Sequence, residues 1–194
     1  MVDGSKTSAV VALAFVLAVA AFLLCGCAST ASNGNDQIVK AAIELAEEYR
    51  SLGRLEDSIG VYDKALERTY DYRLLYNKAL TIANLGDFEQ AAALCQEGHG
   101  SFPYILAFKK AQAKYYIELE RWQDAASSYI EVLELDPYDT STRKALISLY
   151  VTNNEPSKAA EQATILWNQG YRTAETVCLM KVSLDPSLES SQED

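Results

Sequence analysis

The sequence predicts an all-α chain: a solenoid of about four helix–turn–helix units, closed by a C-terminal capping helix. Three observations predict it. From Gln37 onward Ala, Leu, Glu and Lys/Arg dominate, and the 194 residues hold only nine glycines and four prolines. That composition favours helix over a turn-rich β fold. Apolar side chains recur at helical spacing: Ile38, Ala42, Leu45, Tyr49 and Leu52 step by four, three, four and three, and so share one helix face. The pattern then repeats, with Tyr49, Ile82, Tyr116 and Tyr150 separated by 33, 34 and 34 residues.

The first element is apolar. Residues 9 to 24, AVVALAFVLAVAAFLL, carry no charged or polar side chain. As a helix this run rises roughly 24 Å, short of the ~30 Å hydrocarbon core and suited to a signal h-region. Extended over Val10–Ala28 it reaches marginal spanning length. Leu24-Cys25-Gly26-Cys27 ends the run and resembles the lipobox of bacterial lipoproteins, with a leucine three places before the cysteine and a small residue just before it. The resemblance implies a signal peptide over 1–26, lipidation at Cys27 with acyl chains such as palmitate, and loss of Cys25 with the signal. Without that processing, the run reads as an ordinary secretory signal or an uncleaved anchor. Residues 27–36 are then the lipidated cysteine and a flexible tether, with Asn35 or Asp36 placed to cap the next helix. Nine extended residues reach about 30 Å, which keeps the folded part close to a membrane. Two or three acyl chains make such attachment stable.

The repeats occupy 37–173, in units of about 39–72, 72–105, 106–139 and 140–173. Ser58, Ala91, Ala125 and Ala159 fall at one phase, again 33, 34 and 34 residues apart, because two helices approach closely only where the side chain is small. Before each lies a polar break: Gly53-Arg54-Leu55, Gly86-Asp87-Phe88, Glu120-Arg121-Trp122 and Asn154-Glu155-Pro156. Pro156 suits a helix start, where its missing N–H would go unpaired anyway.

The pattern resembles the tetratricopeptide repeat, best in ANLGDFEQAAALC of the second unit and ELERWQDAASSYIEVLELDP of the third. Lys109 departs from it where an apolar packing residue is usual, and so does Ala163 in place of an aromatic. Residues 174–184 read as a helix covering the last apolar face, which solenoids need for solubility. Residues 185–194 read as a disordered acidic tail.

Catalytic material is scarce. His99 is the only histidine, which leaves almost nothing for a zinc site or a His-assisted nucleophile; it reads as a solvated residue in an inter-unit turn. Gly98 and Gly100 follow no strand and make no nucleotide fingerprint. Cys95 and Cys178 read as reduced core residues too far apart for a disulfide, and Trp122 and Trp167 as core. The reading is therefore no enzyme, no cofactor and no metal. A net charge of -10 argues against nucleic acid as a partner.

The resemblance places a partner-binding groove on the first helix of each unit. The helical wheel puts Lys40, Glu44, Glu47 and Arg50 there, then Arg73, Tyr76, Asn77, Leu80 and Asn84, then Lys110, Lys114 and Glu118, then Lys144 and Ser148. The candidate binding residues are Arg50, Arg73, Tyr76, Asn77, Leu80, Asn84, Lys110, Lys114 and Lys144. Six cations against three carboxylates make this face locally positive in an acidic chain. Either it receives an acidic peptide or a C-terminal carboxylate, over an apolar floor of Tyr76 and Leu80, or it is a solvated charged face. Of the lysine–asparagine–arginine clamp of chaperone-binding members, only Asn77 has a counterpart. The functional expectation is a membrane-anchored scaffold or adaptor of the bacterial cell envelope, with its folded part outside the cytoplasm, at the cell membrane or the outer membrane. The alternatives are a small-ligand or lipid-binding receptor, and a structural component of an outer-membrane, pilus or uptake assembly.

Overall fold

A computed structural model describes residues 34–174, 176, 177 and 180. The signal peptide, Cys27, most of the tether, Cys178 and the acidic tail lie outside the described residues. Among those described there is no strand. Eight helices follow one another: α1 (34–51), α2 (Leu55–Leu66), α3 (Tyr72–Asn84), α4 (Phe88–Ser101), α5 (Ala107–Glu118), α6 (Trp122–Leu135), α7 (Thr140–Thr152) and α8 (Pro156–Asn168). Ala174, Thr176, Val177 and Met180 are helical beyond them. None of the described helices is long and apolar enough to cross a membrane.

Each pair closes at its break for the same backbone reason. Gly53, Gly86, Glu120 and Asn154, the first residue of each polar triplet, all have positive φ, between 54° and 86°. A left-handed residue there ends the first helix and turns the chain back for the second. Two of the four turns use glycine, which adopts this conformation freely. Arg54 and Arg121 lie just before α2 and α6 and offer no capping acceptor. Instead each bonds the carboxylate three residues on, Asp57 or Asp124 at 2.7 Å, and covers the ring of Tyr49 or Tyr116 at 4.7 and 4.5 Å.

The described residues divide into two compact units between Leu74 and Leu75. In the first, Val39, Ala42 and Ala46 of α1 meet Tyr62 and Ala65 of α2 and Leu74. In the second, α5 packs against α4 and α6, and α7 against α6 and α8. Its largest cluster joins Ala113, Ala125, Tyr129, Leu146, Ala159, Ala163 and Leu166, with Met180 packed on its flank. Ala113, Ala125, Ala159 and Ala163 are fully buried, so alanine marks the closest helix approaches, as the repeat phase implies.

Several expectations need correction. Residues 34–36 are already helical, so the tether stops short of 36. Asp36 lies in α1, paired with Lys40 at 2.8 Å and Arg73 at 2.9 Å. His99 is no turn residue: it lies in the last turn of α4, half-buried, and its Nδ1 is enclosed without a partner among the described residues. The helix persists through Gly-His-Gly because Gly98 is buried against Phe108, leaving no room for any side chain there. Trp122 and Trp167 are half-buried rather than core; Trp122 flanks the large cluster and Trp167 lies under the Arg172 guanidinium. Lys109 holds its packing position through an ion pair with Glu131 at 2.6 Å. Cys95 is a free, buried thiol whose pKa burial pushes up to about 12, which keeps it uncharged.

Candidate functional site

Carboxylates of the chain itself engage several of the groove cations. Arg50 pairs with Glu47 one turn earlier on α1. Arg73 is gripped by Asp71 at 2.9 and 3.0 Å and by Asp36 at 2.9 Å, and those bonds raise its pKa further. Lys110 pairs with Asp139, the residue that caps α7. Asp139 accepts from the Ser141 and Thr142 backbone N–H groups and from both hydroxyls. Burial pushes its carboxyl up, but the bonds from Lys110, Ser141 and Thr142 outweigh burial and hold it well below the usual carboxylate range. Arg73 and Lys110 therefore hold carboxylates at the starts of α3 and α7, whereas Arg50 pairs within α1 itself.

The intended apolar floor exists in part. Tyr76 is half-buried, its ring edge-on to Phe108 at 5.7 Å, and Leu80 is half-buried one turn along. The Asn77 carbonyl accepts from the Thr81 hydroxyl at 2.9 Å, while Asn84 is exposed at the end of α3.

Two basic candidates remain uncommitted. Lys114 and Lys144 are both exposed, and no carboxylate pairs with either among the described residues. Lys144 stands at the mouth of a pocket of about 250 Å³. Ile147, Ser148, Val151 and Thr152 of α7 line one side of it, Leu166 of α8 the floor, and Tyr171, Thr173 and Thr176 the other side. The lining contains one cation, several hydroxyls and no carboxylate. The Lys144 ammonium lies 6.0 Å from the centre of the Tyr171 ring.

The far wall is built to hold its shape. The Thr176 hydroxyl lies 2.8 Å from the Thr173 carbonyl and 3.2 Å from the Tyr171 carbonyl, and it accepts from the Thr173 N–H at 3.0 Å. Thr176 is itself buried. Sequence reasoning placed Lys144 and Ser148 on this face but missed Tyr171, Thr173 and Thr176. Tyr171 and Thr173 end the fourth unit after α8 and Thr176 lies beyond it, whereas the groove positions were taken only from the first helix of each unit. Elsewhere, no group of three or more His, Cys, Asp or Glu among the described residues is placed to hold a metal.

Comparison with known proteins agrees with this architecture. A family model described as tetratricopeptide repeat matches residues 43–104. A tetratricopeptide repeat protein from Parabacteroides merdae superposes with a TM-score of 0.65 at 15% identity, over 80% of this chain and 64% of that one. This chain thus spans less than two thirds of that protein's length. The protein MamA from Desulfovibrio magneticus, residues 41 to end, gives 0.58 at 15% identity over 70% and 78%. The first tetratricopeptide domain of Spaghetti (RPAP3), bound to an HSP90 peptide, gives 0.54 at 20% identity over 61% and 94%. At these identities the likeness is one of fold: the chain is a tetratricopeptide-like helical solenoid.

Proposed function

We propose that this chain is a lipid-anchored interaction module of a bacterial cell envelope, held to a membrane through Cys27 and binding a segment of another envelope protein. The anchor rests on the apolar run at 9–24 and on Leu24-Cys25-Gly26-Cys27, both outside the described residues. The binding reading is carried by the pocket at Lys144. Its volume falls below the ~300–1,000 Å³ typical of small-molecule sites, and so suits one apolar side chain of a peptide. A carboxylate beside that side chain would meet Lys144, the one ionisable cation in the lining. This peptide-bound arrangement has a parallel in the Spaghetti domain, which carries an HSP90 peptide.

The test is a binding titration of fluorescent peptides that each pair an apolar residue with an adjacent acidic one, against the full-length chain. Lys144→Glu and Val151→Arg alter exposed lining residues and should leave the circular dichroism unchanged. Each is expected to weaken the selected peptide about tenfold or more, with parental binding falling in high salt. Lys110→Glu is a poor probe, because it would set a carboxylate against Asp139 at the cap of α7. Unchanged affinity in both variants would remove the pocket from the site.

A further inference from the structure

The pocket at Lys144 has a fitting occupant in the chain's own sequence. All of its lining residues, and everything that follows them, belong to the second compact unit. Met180, the last described residue, packs on the cluster that contains Ile147 and Leu166. Both of those side chains also line the pocket. The chain therefore leaves the described structure close to the pocket, with residues 181–194 still to follow.

The chemistry of the two is complementary. The lining offers one cation, Lys144, with which no carboxylate pairs among the described residues. Val151 and Tyr171 leave apolar surface exposed beside it. Residues 185–194, DPSLESSQED, carry the carboxylates of Asp185, Glu189, Glu193 and Asp194 and no cation. Leu188 is the one large apolar residue among them, and Glu189 follows it directly. Leu184 with Asp185 repeats the pairing, but Leu184 stands four residues after Met180 and so shares its core-facing helical phase. Pro186 breaks that phase before Leu188. Leu188 is eight residues beyond Met180, a reach of at most about 29 Å. A ligand on so short a tether has an effective concentration on the order of millimolar, so even a weak contact is largely formed.

We propose that Leu188 of this tail occupies the pocket, with the Glu189 carboxylate at Lys144, so that the chain covers its own site until a partner peptide displaces it. The inference rests on the reading of the pocket as a peptide site. Displacement regulates that site, because the apparent affinity for a partner falls in proportion to the fraction of chains whose pocket is open.

The experiment uses the full-length chain in detergent micelles, with leucine and valine methyl groups labelled for NMR. A nuclear Overhauser contact is expected between the methyls of Leu188 and Val151, lost in Lys144→Glu and restored when Glu189→Lys is added. Fluorescent peptides that each pair an apolar residue with an adjacent acidic one should bind the double variant Leu188→Ser, Glu189→Ser about tenfold more tightly than the parent. In that background Lys144→Glu should cost the peptide more affinity than in the parent, where the same change also releases the tail. No contact at Leu188, or contact from Leu184 instead, would overturn the proposal, as would equal peptide affinity in the parent and the double variant. Contact seen only between differently labelled copies in a mixed sample would assign the tail to a neighbouring molecule and overturn it too. If the Leu188 contact forms within one chain but no peptide binds even the double variant, the tail is the pocket's own ligand and the peptide reading fails.

Discussion

At the scale of single residues, two neighbours on α4 carry opposite lessons. A Cβ at Gly98 would stand 2.3 to 2.6 Å from three ring carbons of Phe108, which is fully buried and packed edge-on to Tyr76. Gly98→Ala should therefore destabilise the fold by about 1–3 kcal/mol, despite the better helix propensity of alanine. Gly100→Ala, in the same helix with nothing within 4 Å, should stabilise it by about 0.5–1 kcal/mol. Urea denaturation of the two variants checks both, and matching signs would refute the packing account. His99 lies between them. Burial, then Lys109, lowers its pKa from 6.5, with Glu131 opposing weakly. The unfolded chain thus binds the proton more readily than the folded one, so stability should fall as pH drops through about 6.5. The loss in urea midpoint between about pH 7.5 and 5.5 should shrink in His99→Gln, which has no imidazole to protonate.

At the scale of elements, the turns define a test that packing does not confuse. All four turns within pairs need one left-handed residue, and Glu120 supplies it at φ 54° in an exposed position. A side chain in that conformation costs roughly 1–2 kcal/mol, partly offset by the greater freedom of glycine in the unfolded chain. Glu120→Gly should raise stability by about 0.5–1 kcal/mol, measured by thermal or urea unfolding. Gly86→Glu, the reverse change at the equivalent turn, should lower it. These elements were legible in the sequence because their cause is local. The 33- and 34-residue steps, the polar triplets and the alanine phase each reflect backbone or close-approach constraints that recur in every pair. His99 was misplaced because Gly-His-Gly looks like a turn on propensity alone. Only the contact of Gly98 with Phe108, across from another helix, explains why the helix continues.

At the scale of the whole molecule, the candidate site was only half visible, and the reason is again physical. A helical wheel puts Arg73 and Lys110 on the expected groove face, but it cannot show that Asp71 and Asp139 reach them from loops. It also stops at α8, whereas the wall of the pocket lies beyond, where Thr176 ties Tyr171 and Thr173 together. That wall has a second duty, since Met180 packs on the cluster formed by α5 to α8. In a solenoid each pair is stabilised by its own packing and by its neighbours, so the last pair depends most on what covers it. Removing residues 171–194 should therefore loosen α7 and α8 first. Native-state hydrogen exchange is expected to quicken about tenfold or more at the amides of α7 and α8, while those of α1 and α2 keep their parental rates. The same truncation removes Tyr171, Thr173 and Thr176, so any peptide held at Lys144 should be lost with it. Parental exchange throughout α7 and α8 would show that the segment lies on a self-sufficient pair. Its only contribution would then be the wall of the pocket, and peptide binding to the truncated chain would decide whether that wall matters.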